Sequence, residues 1–505
     1  MSSDRNSYSS IIKAISLFGG VKIFQILISI IRSKIIAILI GPLGMGVESL
    51  LTSTTNIVLS ITGLGLQISG VRNISKAHSY NDENKINTTI TVLRRIVWFT
   101  GIVGSIATFI LSTYLSKLTF GDELQSISFK IISIILLFNQ LNVGQVVLLQ
   151  GTFHYKYLAK ASLFGNLMAL ILTMPFYYLF RTKGIVPAII ISSFITLLFS
   201  WFYSRKISFN KVKLSLRETY LEGKEIIFLG VVLAAVGLLG QLSGYIMNIV
   251  ISHIGSIKEV GLYTAGYNIA NTYVFLILSS MSTDYVPRLS AVSTNNTLLS
   301  EIINKQAVLL VTLIAPLVIV FIVLIKEIVI LLYSKDFLPI IGMIELFMFG
   351  MLFRAISWAL SYSFIARGDS KVFFLNELAI SVVSLIFNIL GYVWFGFTGL
   401  GISFIITYVL YTVQLTYFGK KQFGFEFNFE FYKILIPQLL ICILCITSAK
   451  LIGYSILRYI IGSILFVASI YLTYTVLDNL IGVKKMIIGM NARFMKNDSK
   501  TNRNS

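Results

Sequence analysis

Two cations and three polar side chains share one face of the first apolar segment, and this face could bind an anion. At 100° per residue, Lys22, Gln25, Ser29, Arg32 and Ser33 lie within a stripe about 100° wide on a helix otherwise rich in Ile, Leu, Val and Phe. A cation in the middle of a bilayer costs roughly 2.5–3.5 kcal/mol. The stripe is therefore predicted to line a water-filled cavity that receives a negatively charged group.

Polar faces recur on other apolar segments, where hydroxyl and amide groups lie beside tyrosines and charged residues. The further predicted cavity residues are Glu48, Asn56, Gln241, Asn248, Tyr267, Asn271, Arg354 and Glu377. Aromatic faces stack on sugar rings, and amides and hydroxyls bond sugar hydroxyl groups. These faces therefore suit the recognition of a carbohydrate.

Each of these residues also has a structural interpretation. Polar side chains in membrane helices often only hold helices together, at about 0.6 kcal/mol each. Glu377 could form a buried ion pair with Arg354. Glu48 could lie at the level of the lipid headgroups, and Glu345 is expected at the membrane interface.

The composition identifies the class of protein that must position these residues. Of 505 residues, 56% are hydrophobic and only 12% are charged, against about 25% charged residues in soluble domains. Although the net charge is +20, most cations lie in short loops between apolar runs, so nucleic-acid binding is not expected. No P-loop or catalytic constellation is present, the only two cysteines lie in one apolar helix, and the chain is predicted to be neither an enzyme nor a metal or cofactor protein.

Apolar runs predict an all-α integral membrane protein with fourteen transmembrane helices. Alternating the loops across the membrane places most of the 41 lysines and arginines on one side. Because lysine and arginine favour cytoplasmic loops, both termini are predicted to be cytoplasmic. Among the predicted helices are 11–38, 45–70, 90–115 and 127–150.

An internal repeat divides the predicted helices into two similar sets. Gly44-Met-Gly46 matches Glu259-Val-Gly261, and further matches recur at an offset of about 215 residues. Two pseudo-symmetric six-helix bundles plus two C-terminal helices are therefore predicted, and such parallel repeats are typical of transporters with a site between the bundles. The predicted parts are 1–204 (first lobe), 205–221 (cytoplasmic linker), 222–419 (second lobe), 420–481 (two additional helices) and 482–505 (basic cytoplasmic tail).

Several short motifs resemble a known family. They are Arg32-Ser-Lys34-Ile-Ile-Ala-Ile-Leu-Ile-Gly41-Pro-Leu-Gly44-Met-Gly46, Gly63-Leu-Gly65, Val71-Arg72-Asn-Ile-Ser75 and Leu332-Tyr-Ser-Lys-Asp-Phe337. Together with the fourteen-helix plan, they resemble bacterial polysaccharide flippases of the O-antigen (Wzx) type, in the multidrug/oligosaccharidyl-lipid/polysaccharide exporter superfamily. The resemblance implies a multi-pass protein of the bacterial inner membrane that flips a polyprenyl-diphosphate-linked oligosaccharide to the outer leaflet.

The function expected from the sequence is alternating access between the two lobes around a cationic central cavity. Its expected partners are a lipid-diphosphate-linked glycan, membrane lipids, a polysaccharide polymerase and a chain-length regulator. No cofactor is expected, although H+ or Na+ could be a coupling ion. The alternatives are a cation-coupled multidrug exporter of the same superfamily, which would favour acidic cavity residues, and a non-transporting membrane scaffold.

Overall fold

The computed structural model describes residues 2–79, 82–210, 212–453 and 455–481, with side chains from residue 24 onward except at 232, 233, 236, 273, 283 and 479–481. These parts contain helices throughout and no β-strand. The α-helices are α1 (Ser2–Thr62), α2 (Leu66–Ser79), α3 (Glu83–Ile110), α4 (Ser112–Phe120), α5 (Ser126–Ile132), α6 (Ile134–Gly151), α7 (Tyr155–Phe180), α8 (Ile185–Ser204), α9 (Leu216–Ile254), α10 (Ile257–Ala291), α11 (Asn296–Leu332), α12 (Ile341–Ala366), α13 (Ser370–Phe423), α14 (Phe429–Ile452) and α15 (Ile456–Ile481). Two 3-10 helices cover Arg181–Gly184 and Lys335–Ile340.

Nine helical stretches within the described ranges are long and apolar enough to cross a membrane. The prediction of an all-α membrane fold is thereby confirmed. The count of fourteen crossings and the cytoplasmic position of both termini stay predictions.

α1 consists of two helices that meet at Gly41. This glycine has φ 65° and ψ −171°, a region of backbone conformation that is open essentially only to glycine. The break falls between the predicted helices 11–38 and 45–70. The second of these ends earlier than predicted, at Thr62, because Leu64 and Gly65 have positive φ and the helix resumes only at Leu66.

One compact unit, here called unit 1, comprises the described residues within 1–265 and 329–338. Two apolar cores of this unit lie among its described residues. The first core joins α1, α5, α7 and α8 and includes Ile36, Leu51, Phe129, Tyr177 and Ile185. The second core joins α2, α3, α6 and α9 and includes Leu66, Leu93, Val97, Val147 and Ile226.

The second compact unit, unit 2, comprises residues of 266–328 and of 339 onward. Its most apolar helix is α11, where buried residues such as Leu310, Val311 and Val323 lie on different faces. A helix that is apolar all round is stable only when other helices surround it. The predicted lobe boundaries at 1–204 and 222–419 stay predictions, and α9, which the repeat assigns to the second lobe, packs in unit 1 against α1 and α2.

The two copies of the repeated glycine motif touch each other inside unit 1. A Cβ atom at Gly46 would collide with the carbonyl oxygen of Ile257, and one at Gly261 would collide with the carbonyl oxygen of Pro42. Ser49 and Thr264, also separated by 215 residues, share a hydrogen bond of 2.9 Å between their hydroxyl oxygens. The glycines are therefore required because backbone packs directly on backbone.

Replacing Gly261 with alanine is expected to destabilise unit 1. Alanine improves helix propensity by about 1 kcal/mol over glycine, but the clash is with backbone atoms and overpacking costs typically about 1–3 kcal/mol. Gly244→Ala is the matched control, because a Cβ there meets no atom within 4 Å. Melting of the purified variants in detergent checks this, and equal stability of the two would contradict the close contact.

Candidate functional site

Arg32 forms an ion pair with Glu48 inside unit 1. The Nη2 atom of Arg32 lies 3.0 Å from Oε1 of Glu48, and the hydroxyl of Tyr177 donates a 3.3 Å hydrogen bond to the same oxygen. Tyr177 is buried, whereas 35% of the Arg32 side chain is exposed. We call these three residues the Arg32 cluster. Arg32 is thus the most exposed of the three residues.

The break at Gly41 creates the Arg32 cluster. Arg32 and Glu48 are 16 residues apart, which along a straight helix would separate them by about 24 Å. They touch only because the chain turns back at Gly41. The sequence places Arg32 on a polar stripe, but it does not reveal that Glu48 is its partner.

The other predicted residues of α1 have different environments. Gln25 is half-buried, and Ser29 and Asn56 are exposed. The side chain of Lys22 lies outside the described residues. Whether this face lines a cavity stays a prediction.

Gln241 and Asn248 of α9 both bond to α1. Ser60 donates a 2.8 Å hydrogen bond to the amide oxygen of Gln241. Asn248 is 8% exposed and its amide lies 3.4 Å from the hydroxyl of Ser49. These contacts hold α1 and α9 together, which is the structural interpretation of such polar side chains.

Lys34 is bound at the C-terminal end of α11. Its ammonium group donates to the backbone carbonyls of Ile330 and Tyr333, each at 2.6 Å. These carbonyls belong to the end of a helix, where a positive charge is stabilised by the helix dipole. Lys34 therefore connects α1 to the end of α11.

Arg354 has a separate set of partners in unit 2. Its Nη1 atom donates a 2.6 Å hydrogen bond to the amide oxygen of Asn271. The guanidinium carbon lies 5.6 Å from the ring centroid of Tyr408, a distance typical of a cation–π contact. We call these three residues the Arg354 cluster. Both contacts are with neutral groups, and the hydroxyl of Tyr267 is a further neutral partner, whereas the carboxylate of Glu377 acts on the guanidinium only through its charge.

Arg354 and Glu377 make no direct ion pair in the described structure, although their opposite charges lie close enough to attract each other. In the described structure Glu377 instead accepts a short hydrogen bond from the hydroxyl of Tyr411. Tyr267, another predicted cavity residue, packs edge-on against Phe347 with ring centroids 6.3 Å apart. The structure therefore places Asn271 and Tyr267 beside Arg354 and gives Glu377 a tyrosine partner.

One buried ion pair was not predicted from the sequence. Glu345 lies 3.1 Å from Nη2 of Arg458, and their side chains are 6% and 3% exposed. Arg458 also donates to the carbonyl of Ile322. Glu345 is therefore buried within unit 2, and its position at the membrane interface stays a prediction. The only signal of the pair in the sequence was a charged residue within each of two apolar segments.

Comparison with known proteins establishes the family. A model of the family described as polysaccharide biosynthesis proteins matches residues 35–342, which is more than half of the chain. The chain belongs to this polysaccharide biosynthesis protein family. No curated protein sequence matches it.

Solved structures show that this polysaccharide biosynthesis protein shares its fold with flippases and transporters. The lipid II flippase MurJ in an inward closed conformation matches with a TM-score of 0.68 at 14% identity, covering 91% of this chain and 99% of MurJ. An inward-facing multidrug resistance MATE family transporter of the MOP superfamily matches with a TM-score of 0.65 at 15% identity, covering 79% of this chain and 94% of the transporter. A MOP superfamily transporter from Pyrococcus furiosus, whose binding pocket is described as having reverse polarity, matches with a TM-score of 0.56 at 16% identity, covering 82% of this chain and 96% of that one.

The resemblance to Wzx-type polysaccharide flippases is thereby confirmed at the level of family and fold. The part of this polysaccharide biosynthesis protein that matches the family includes the Gly41–Gly46 turn and Asn271. Arg32, Arg354 and Glu377 lie outside it. The roles of these charged residues must therefore be argued from their own contacts.

Proposed function

We propose that the protein flips a polyprenyl-diphosphate-linked oligosaccharide from the cytoplasmic to the outer leaflet of the bacterial inner membrane, by alternating access and without catalysing a reaction. The observation that carries this proposal is Arg354, a cation in an apolar helix that forms no direct ion pair among the described residues. Such a charge is costly inside a membrane unless an anion or water compensates it. A lipid diphosphate supplies the anion.

The Arg32 cluster also supports the binding of a lipid diphosphate. Glu48 compensates Arg32 in the structure through one carboxylate oxygen. A diphosphate offers several acceptor oxygens, and guanidinium groups bind phosphate in a bidentate way. Arriving diphosphate can therefore replace Glu48 at Arg32, and Tyr177 would keep Glu48 in place.

Carbohydrate recognition is supported by the family and by the neighbours of Arg354. Asn271 and Tyr408 are an amide and an aromatic ring, the groups that bond sugar hydroxyls and stack on sugar rings. The family is described as polysaccharide biosynthesis proteins, a role that is compatible with moving a lipid-linked glycan. A flippase fits both the chemistry and the family.

A cation-coupled multidrug exporter is the second candidate. It is favoured by Glu377, a half-buried carboxylate whose described partner is a tyrosine hydroxyl, since a cationic drug would need such an acidic group. The exporter candidate gives Arg354 no role, because a buried arginine repels a cation.

The deciding experiment is a flipping assay in proteoliposomes with a fluorescent lipid-diphosphate oligosaccharide. The wild type is expected to move the lipid between leaflets, and Arg354→Gln is expected to slow it about 10- to 100-fold, since a charge-assisted hydrogen bond contributes about 1.5–3 kcal/mol. Lys305→Gln is the control, because Lys305 pairs with Glu301 at an exposed site.

Efflux of cationic dyes measured in the same vesicles separates the two candidates. Dye efflux without glycan flipping, abolished by Glu377→Gln and retained in Arg354→Gln, would replace the flippase with the exporter. Absence of transport for every lipid-linked glycan tested would exclude the flippase.

A further inference from the structure

A crevice on the surface of unit 1 is separate from both arginine clusters. It lies between α3, α6 and α8 and has a volume of about 370 Å³, within the range of small-molecule sites, about 300–1,000 Å³. It is lined by Arg94, Val97, Trp98, Leu141, Gly144, Gln145, Phe194, Leu197, Leu198 and Trp201. Nearly all of this lining is apolar, so a hydrocarbon chain suits the crevice better than water does.

The two polar side chains that line the crevice, Arg94 and Gln145, both have partners at or beyond the end of α8. Arg94 lies with its guanidinium carbon 4.2 Å from the ring centroid of Phe209. Gln145 accepts a 2.6 Å hydrogen bond from the hydroxyl of Ser204, which is at the end of α8. The crevice therefore has an apolar body and a polar end that carries a positive charge.

Further cations surround this polar end. The guanidinium carbon of Arg205 lies 4.6 Å from the ring centroid of Trp201. The ammonium nitrogen of Lys206 lies 4.9 Å from the ring centroid of Phe202. None of Arg94, Arg205 and Lys206 belongs to an ion pair among the described residues. A bound anion would complement these charges.

The position of the cations along the chain indicates which leaflet would supply that anion. Arg94 lies in the first half of α3, and Arg205 follows the last residue of α8. The distribution of lysine and arginine predicts that both belong to the cytoplasmic side. Trp98 and Trp201 are exposed, and tryptophan favours the boundary between hydrocarbon and headgroups.

We propose that this crevice binds an anionic phospholipid of the cytoplasmic leaflet. One acyl chain lies in the apolar crevice, and the phosphate lies between Arg94 and Arg205. Basic pockets between membrane helices on the cytoplasmic side bind anionic headgroups in this way. The glycan carrier is a less suitable occupant, because its diphosphate must travel with the glycan, whereas the crevice shares no residue with the Arg32 or Arg354 cluster.

Tryptophan fluorescence can test the site directly. The chain has four tryptophans, so the variant Trp358→Phe/Trp394→Phe keeps only Trp98 and Trp201, which line the crevice. This variant is reconstituted with brominated phosphatidylglycerol, which is anionic, or with brominated phosphatidylcholine, which is zwitterionic. Bromine quenches tryptophan at contact, so the quenching curves give the relative binding constants of the two lipids.

The anionic lipid is expected to bind more tightly, by about fivefold for each contributing cation. Arg94→Gln/Arg205→Gln should lose this preference and leave quenching by phosphatidylcholine unchanged, which reports an intact crevice. Arg94→Lys should retain most of the preference. Arg95→Gln is the matched control, because Arg95 is the neighbouring cation on α3 but donates a 2.6 Å hydrogen bond to Thr219 and does not line the crevice.

Three results would overturn the proposal. Equal quenching by the two lipids would show that the cations select no headgroup. An equal loss in Arg95→Gln would show that only the general surface charge matters. Displacement of the brominated phospholipid by an equimolar amount of unbrominated polyprenyl phosphate would assign the crevice to the lipid of the glycan carrier instead.

Discussion

Replacing Arg32 with alanine is expected to slow flipping of a lipid-diphosphate oligosaccharide about 10- to 100-fold. The estimate follows from about 1.5–3 kcal/mol for a hydrogen bond to a charged group. Arg32→Lys keeps the charge but not the planar pair of donors, so an intermediate rate is expected. Initial flipping rates in proteoliposomes, corrected for the amount of inserted protein, measure both effects.

The contact with Glu48 offers a sharper form of this experiment. If Arg32 only neutralises Glu48, removing both charges in Arg32→Ala/Glu48→Ala should restore flipping. If Arg32 binds the diphosphate, the double variant should be as slow as Arg32→Ala. We expect the second result, since 35% of the Arg32 side chain is exposed while Glu48 is held by two partners.

The variant Glu48→Gln tests the opposite side of the same contact. It removes the competing carboxylate and keeps a hydrogen-bond acceptor for Tyr177, so the apparent affinity for the substrate is expected to rise. Lys117→Ala is the control for loss of an ion pair, because both Lys117 and Glu123 are exposed and such pairs contribute about 0–1 kcal/mol. A full rate in Arg32→Ala/Glu48→Ala would refute diphosphate binding by Arg32.

The sequence predicts the fold class and the charged residues, because both follow from local patterns. Apolar runs predict the membrane helices, and a charge inside such a run is conspicuous because of its cost. The repeated glycines are also visible in the sequence at their constant offset. The structure adds their cause, which is the direct packing of Gly46 on Gly261.

The partners of the charged residues cannot be read from the sequence. Glu48 contacts Arg32 because the chain turns at Gly41. Arg354 of α12 bonds to Asn271 of α10, which is 83 residues earlier in the chain. Periodicity reports which face of a helix is polar, but it does not report which helix packs on that face. Asn248 shows the same limit, because its polar face contacts α1 and is buried.

The buried pair of Glu345 and Arg458 is expected to have the largest effect on stability. Both side chains are nearly inaccessible, and Arg458 connects α15 to α12 and to the carbonyl of Ile322 in α11. Glu345→Ala removes the carboxylate and leaves a cation in an apolar environment. Breaking such a pair costs roughly 3–5 kcal/mol, so the free energy of unfolding should fall by about that amount.

Removing both charges distinguishes the cost of an uncompensated ion from the value of the pair itself. Replacing a buried ion pair by apolar side chains of similar volume is often neutral or stabilising by about 1–4 kcal/mol. Glu345→Met/Arg458→Met is therefore expected to recover most of the stability lost in Glu345→Ala. Unfolding in mixed micelles titrated with dodecyl sulfate measures both variants against the wild type.

The exposed pair of Lys420 and Glu426 provides the control, because 67% and 66% of these side chains are accessible. Lys420→Ala should change the stability by less than about 1 kcal/mol. If Glu345→Met/Arg458→Met is as unstable as Glu345→Ala, the pair of Glu345 and Arg458 fixes the position of α15 by its hydrogen bonds. Unchanged stability in Glu345→Ala would instead show that water reaches Arg458, in contradiction to its burial.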